Sequence, residues 1–196
     1  MNPQSSAPAG GFQQPPARGN PGTFTDKRDG KMYKAVMIGG ATWMAQNLNY
    51  QPQTGKSWCY ENKEANCNKY GRLYDWNTAM KACSAGWHLP SDAEWDDLGQ
   101  AVGGKGARLK SKSGWIYKDN GTDDFGFSAL PGGTRYSNGK FDGGDDSIGY
   151  WWTANDDDDD GSEEDAYIRI MIFNSDTLYH GAQYKSRAFS VRCVRD

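Results

Sequence analysis

The side chains whose type and spacing could do chemistry are four cysteines, one acidic run and a polar, tyrosine-rich stretch near the C terminus. Four cysteines allow three pairings. Cys59 and Cys67 close a nine-residue ring in WCYENKEANC, and Cys83, at the end of a helical pattern, could reach Cys193 on the final strand. Chain entropy would give about 2.6 kcal/mol for the short ring and ~4.7 kcal/mol for the long one, before strain. An even count fits an oxidising compartment, and with no C-x-x-C pair and two His a zinc site lacks its ligands. Ser128, in Gly126-Phe127-Ser128-Ala129-Leu130, lacks the second glycine of a nucleophile elbow. The residues therefore read as those of a non-enzyme.

The acidic run, Asp156 to Asp160 with Glu163, Glu164 and Asp165, holds −8 in ten residues, while everything outside it sums to +5. Calcium takes about six to eight oxygen ligands, and Asn155, Asp156, Asp158, Asp160 and Glu163 could supply several. Calcium is thus the one cofactor the sequence admits, with Asp156, Asp158 and Asp160 as metal candidates. Five consecutive aspartates repel one another, however, and a solvated loop with no cofactor is the preferred reading. Around that run lie the ligand-binding candidates: Trp152, Asn155, Tyr167, Arg169, Asn174, Asp176, Tyr179, His180, Gln183 and Tyr184. Tyr and Asn supply contact area and adaptable hydrogen bonds at low entropy cost. The plainer alternative is that these side chains solvate an outer sheet edge.

Positioning them needs a scaffold, and the pattern of the text supplies one. Asp29-Gly30 marks a hairpin between Thr25 and the alternating run Tyr33 to Ile38, and Ala41 to Leu48 follows as a second strand. In GRLYDWNTAMKAC, Leu73, Trp76, Met80 and Cys83 recur at helical spacing, leaving Arg72, Asp75 and Lys81 to solvent. A second helix starts at Ser91, where Ser91 and Glu94 make a capping box, runs through Trp95, Leu98 and Val102, and stops at Gly103-Gly104. His88, between the two, is assigned a structural role. From Lys105 to Tyr150 the chain is turn-dense and fits no helix. Then Tyr150 to Ala154 reads as a buried strand, Ala166 to Phe173 alternates Ile168, Ile170 and Ile172 against Tyr167, Arg169 and Met171, and Ala188 to Val194 puts Phe189, Val191 and Cys193 on one face. Helices near the front and strands at both ends predict an α+β fold.

Composition bounds the rest. With 196 residues the chain suits one domain, and residues 1–22, carrying five of eight prolines, read as a disordered tether before a domain at 23–196. Hydrophobic residues are 36% and glycines 25, so the core must lean on its eight tryptophans and the fold must be loop-rich. Lys and Arg are scattered, which excludes a dedicated nucleic-acid binder, and no apolar run approaches the ~18 residues of a membrane span. The first residues lack a signal peptide's basic and apolar regions. A lipid anchor on the tether is compatible with this text.

The ordered motifs WMAQNLNY, the Cys59 and Cys67 pair, YGRLYDWNTAMKAC, GWHLPSDAEWDDL, LKSKSGW, NGTDDFGFSALPGGTR, GYWWTA and FSVRCVRD resemble the Fibrobacter succinogenes major paralogous domain over roughly residues 25 to 196. Such domains occur on exported and surface proteins of Fibrobacteres and Bacteroidetes. The pattern around Cys83 also resembles formylglycine-generating-enzyme-like proteins and C-type lectins. That resemblance implies a C-type-lectin-like fold: two helices flank a small antiparallel sheet with a long loop-rich insertion, the termini share a sheet, and Cys83 bonds Cys193. It implies a secreted or cell-surface, non-catalytic binding or adhesion module whose surface at about 151–187 recognises a protein or glycan, and it is similar to retroelement-diversified variable proteins. Two alternatives accompany it. One is a carbohydrate-binding module for plant polysaccharide; the other is a formylglycine-generating-enzyme-like oxidase, for which the second C-terminal cysteine is missing. The Glu-Pro-Asn and Gln-Pro-Asp loops of sugar-binding lectins do not occur.

Overall fold

The two ends of the described chain meet in one sheet. The computed structural model describes residues 22–157 and 164–195; the segment read as a tether lies, up to residue 21, outside them, as do Asp158, Asp160 and Glu163 of the acidic run. In chain order the elements are β1 (Gly22–Thr25), β2 (Met32–Ile38), β3 (Ala41–Met44), β4 (Ser57–Trp58), α1 (Glu64–Tyr70), β5 (Leu73–Tyr74), α2 (Trp76–Ala79), β6 (Trp87–His88) and α3 (Asp92–Ala101). After a long stretch of turns come β7 (Thr134–Arg135), β8 (Phe141–Asp142), β9 (Ile148–Asp157), β10 (Asp165–Ile172), β11 (Tyr179–Tyr184), β12 (Phe189–Ser190) and β13 (Val194–Arg195). The fold is α+β with few helices. One sheet has the order β1-β2-β3-β13-β6 and another β11-β10-β9-β12-β5-β4, with β7-β8 a separate ribbon.

Local signals with a complete mechanism form as expected. The hairpin closes at Gly30, whose φ of 75° only a residue without Cβ adopts freely, and β1 pairs antiparallel with β2. α3 has both halves of its capping box: the Ser91 hydroxyl accepts from the Glu94 amide, and the Glu94 carboxylate accepts from the Ser91 amide at 2.7 Å. His88 lies in β6 with its Nε2 2.9 Å from Glu94, which ties that strand to the helix.

Tertiary pairing overrides several expectations. The helix expected through GRLYDWNTAMKAC shrinks to α2, because Leu73 and Tyr74 pair as β5 with β4 and β12 instead. Met80 is consequently 42% exposed, while Arg72, expected in solvent, is buried and donates through Nη2 to the Gln51 Oε1 at 2.6 Å. A helix the pattern did not reveal, α1, precedes it and carries Cys67. The expected strand Ala41 to Leu48 ends at Met44, where the chain turns to send Asn47 inward. The expected last strand divides into β12 and β13, which belong to different sheets, so Ser190, Arg192 and Val194 are as buried as Phe189, Val191 and Cys193.

Aromatic residues fill the core. Trp43, Trp95, Trp151 and Trp152 are all essentially inaccessible, and at ~150–250 Å² apiece each removes enough apolar surface to contribute about 4–6 kcal/mol before entropy. Both disulfides are formed: Cys59 to Cys67, and Cys83 to Cys193 across 110 residues.

The turn-dense region is organised by buried polar groups. The Lys110 ammonium donates to the carbonyls of Phe173 (2.8 Å), Ser175 (3.1 Å) and Ile172 (3.2 Å), a cage of oxygens resembling one for a cation. Burial lowers its pKa. The Trp115 indole donates to Ala129 O, and Asp123 accepts from both the amide and hydroxyl of Ser128.

Candidate functional site

A strand with neighbours on one side only must either be covered or meet a partner. β11 is the longest of the edge strands in the two larger sheets, and it pairs with β10 from Tyr184 opposite Asp165 to Tyr179 opposite Ile170. Because side chains alternate, His180 shares a face with Arg169, and Ala182 with Tyr167, and this face lies against α3; Tyr179 and Gln183 fall on the other.

On the α3 face the expected candidates come together around two carboxylates that the sequence reading missed. The Arg169 guanidinium, only 4% exposed, reaches Asp92 at 2.6 Å and Asp96 at 2.8 Å, and His180 Nε2 lies 3.3 Å from Asp92. The Tyr167 and His180 rings are 4.7 Å apart. Asn155 accepts from the Asp92 amide through Oδ1 at 2.8 Å, which joins β9 to the start of α3. Asp92 and Asp96 stand one turn apart in SDAEWDDL, a spacing that could have signalled a shared face.

Beside this cluster runs a shallow groove of about 490 Å³, lined by Trp95, Asp96, Gly99, Gln100, Arg169 and Leu178 among others. Two donors in its walls, Trp95 Nε1 and Arg169 Nε, are shut from solvent and meet no acceptor among the described residues. Unpaired buried donors are costly.

The other candidates divide by position in the sheet. Trp152 is fully buried and donates through its indole to Tyr74 O at 2.7 Å, so it supports the sheet rather than offering a surface, a correction to the reading that placed it in contact with ligand. Arg169 is corrected likewise: its charge is taken up by Asp92 and Asp96, and it positions them. The alternation of Ile168, Ile170 and Ile172 against Tyr167, Arg169 and Met171 does not separate core from solvent, because the Trp152 core covers one face of β10 and α3 the other. Asn155, Asn174, Asp176, Tyr179, His180 and Tyr184 are exposed, and Gln183 is half-buried. Tyr179 also exchanges a 2.9 Å hydrogen bond with the Ser175 hydroxyl.

Of the metal candidates, only Asp156 lies within the described residues, and Lys185 takes up its carboxylate. Cys59, Glu64 and Cys67 are also clustered, but the two sulfurs are bonded to each other at 2.03 Å and offer no thiolate to a metal. Among the described residues no helix is long and apolar enough to cross a membrane.

Residues 36–195 match a domain family described as the Fibrobacter succinogenes major domain. No curated protein and no solved structure matches the chain.

Proposed function

The chain belongs to the Fibrobacter succinogenes major domain family, and since that name carries no activity, we propose from the geometry that it is a non-catalytic, exported binding or adhesion module whose β10–β11 edge and adjoining α3 groove recognise a protein or glycan. One observation carries the reading: edge strand β11 presents Tyr179, His180 and Tyr184 to solvent above a fully packed framework.

Several features support the finer parts of this proposal. A C-type-lectin-like arrangement is favoured by terminal strand β13 lying beside β3, and by the Cys83 to Cys193 bond. Two disulfides favour an extracellular setting. The cysteines are all paired, which leaves no thiol for an oxidase mechanism. No cofactor is invoked, since Asn155 and Asp156, two of the oxygens a calcium loop would use, are engaged by Asp92 and Lys185. If calcium bound nevertheless, millimolar calcium would raise the melting midpoint and EDTA would reverse it.

A plant-polysaccharide module would call for coplanar exposed aromatics. Tyr179 and Tyr184, five positions apart on β11, fall on opposite faces, and Trp58 is half-buried beneath Arg135. A mixed protein- or glycan-recognition surface fits these facts better.

The test is a screen of arrayed glycans and displayed peptides with the wild type and a Tyr179→Ala, His180→Ala, Tyr184→Ala triple variant. Ligands selected by the wild type should lose at least about tenfold in affinity, with the melting point within a few degrees. Retained binding by the folded triple variant would overturn the proposal.

A further inference from the structure

A second concavity, sharing no lining residue with the α3 groove, has a different chemistry. It encloses about 430 Å³ between β2, the turn after β3, α1 and the Ser128 loop, a size typical of small-molecule sites. Its walls carry Lys31, Lys34, Lys69 and Arg192, and no Asp or Glu.

The charge on two of these is unmet. Lys31 lies 3.5 Å from Asp29 and Lys69 lies 3.2 Å from Asp146, both carboxylates outside the lining. Lys34, in contrast, has no ion-pair partner among the described residues. Arg192 is 1% exposed and its hydrogen bonds go to neutral oxygens: Asn47 Oδ1 at 2.9 Å, Met44 O and Ser128 O at 3.1 Å, and Phe127 O. Burial pulls this guanidinium down to about 9, and Asp123, the carboxylate that opposes the fall, is itself held by Ser128. A buried cation with no carboxylate in direct contact is an expensive arrangement, and an anion in the pocket would offset it.

The remaining polar wall is amide. Asn47 is committed, accepting from Arg192 and Trp151 and donating to Tyr70 O and Ser190. Asn49 is not: its side-chain oxygen, shut from solvent, meets no donor among the described residues. Gln46 and Asn68 line the pocket from its more exposed side. Cations bind oxyanions, and amides with open valences suit hydroxyl groups, which both donate and accept.

We propose that this pocket binds a small oxyanion carried on a hydroxylated body, a hydroxycarboxylate or sugar phosphate. The inference does not depend on the β11 reading, since the two regions can be disabled separately.

Calorimetric titration of the full chain with glucuronate, glucose 6-phosphate, glucose and inorganic phosphate distinguishes the carboxylate from the phosphate source and the charge from the body. Either glucuronate or glucose 6-phosphate should bind at least about ten times more tightly than glucose, and weaken as salt rises. Lys34→Glu, a change at an exposed side chain, should weaken that ligand about tenfold, with Lys34→Gln intermediate and Tyr179→Ala without effect. The proposal is overturned by binding of neither anion, by glucose binding as tightly as the anion that binds, by inorganic phosphate binding as tightly as glucose 6-phosphate where that is the bound ligand, or by unchanged affinity in folded Lys34→Glu.

Discussion

β9 and β11 belong to one sheet and differ by a single intervening strand, yet they treat their aromatic residues in opposite ways. β9 has β10 on one side and β12 on the other, and buries Trp151 and Trp152 completely, on opposite faces, with each indole N–H bonded inside the protein. β11 has one neighbour, and leaves Tyr179 39% and Tyr184 54% exposed. Aromatic character does not separate the two cases; place in the strand order does. An aromatic flanked by strands and layered on both faces becomes framework, whereas one on the open edge becomes available for contact.

The comparison breaks first on the framework side. Cys83→Ser opens a loop of 110 residues, for which the chain-entropy relation gives about 4–5 kcal/mol, and this should leave the domain largely unfolded at 37 °C by circular dichroism. Trp152→Ala comes next. It empties a fully buried site against Phe189, 4.6 Å away, and strands the Tyr74 carbonyl, so denaturant titration should show a loss of about 3–5 kcal/mol. A loss below about 1 kcal/mol would mean that β9 is no more framework than β11.

The same logic explains what could be read in advance. The capping box of α3 and the Gly30 turn were legible because their determinants sit within four residues of one another. The hydrophobic spacing of Leu73, Trp76 and Met80 misled because Leu73 and Tyr74 answer to β12, more than a hundred residues away, and a helical period cannot reveal that demand. Trp152 and Tyr179 looked alike for the same reason, since a two-residue alternation says nothing about strand order. The oxyanion pocket was illegible altogether. Lys34, Asn49, Lys69 and Arg192 come from four segments that only the closed fold joins.

Acid sharpens the contrast with a smaller effect. Asp26 is fully buried under the β1–β2 turn, where Arg28 forks onto it at 2.9 and 2.6 Å and also reaches Ala82 O at 2.7 Å, next to the Cys83 disulfide. Burial by itself would raise this carboxyl, but the Arg28 bonds and charge, with Ser84, outweigh it and hold the pKa below its ordinary 3.8. A depressed folded-state pKa contributes stability that is present above the unfolded value and lost as pH falls through the folded one. The melting point should therefore decline from about pH 4 downward, and Asp26→Asn should flatten that decline while costing about 2 kcal/mol at neutral pH. An acid limb of identical slope in the variant would remove Asp26 from the framework.

The smallest stability effect belongs to the edge itself. Tyr179 loses one hydroxyl contact with Ser175 on truncation and little buried area, and Tyr184 stands at the other end of β11 with its ring more than half exposed. Tyr179→Ala and Tyr184→Ala should each change unfolding free energy by no more than about 0.5 kcal/mol. Because the two side chains fall on opposite faces of the strand, a ligand seated against α3 should feel the loss of Tyr184 more than that of Tyr179, and one seated on the other face the reverse. Affinity measured for the two single variants would thus report which face is occupied. If instead either substitution lowered the melting point as far as Trp152→Ala does, β11 would be framework after all, and the division between packed strand and contact edge would fail.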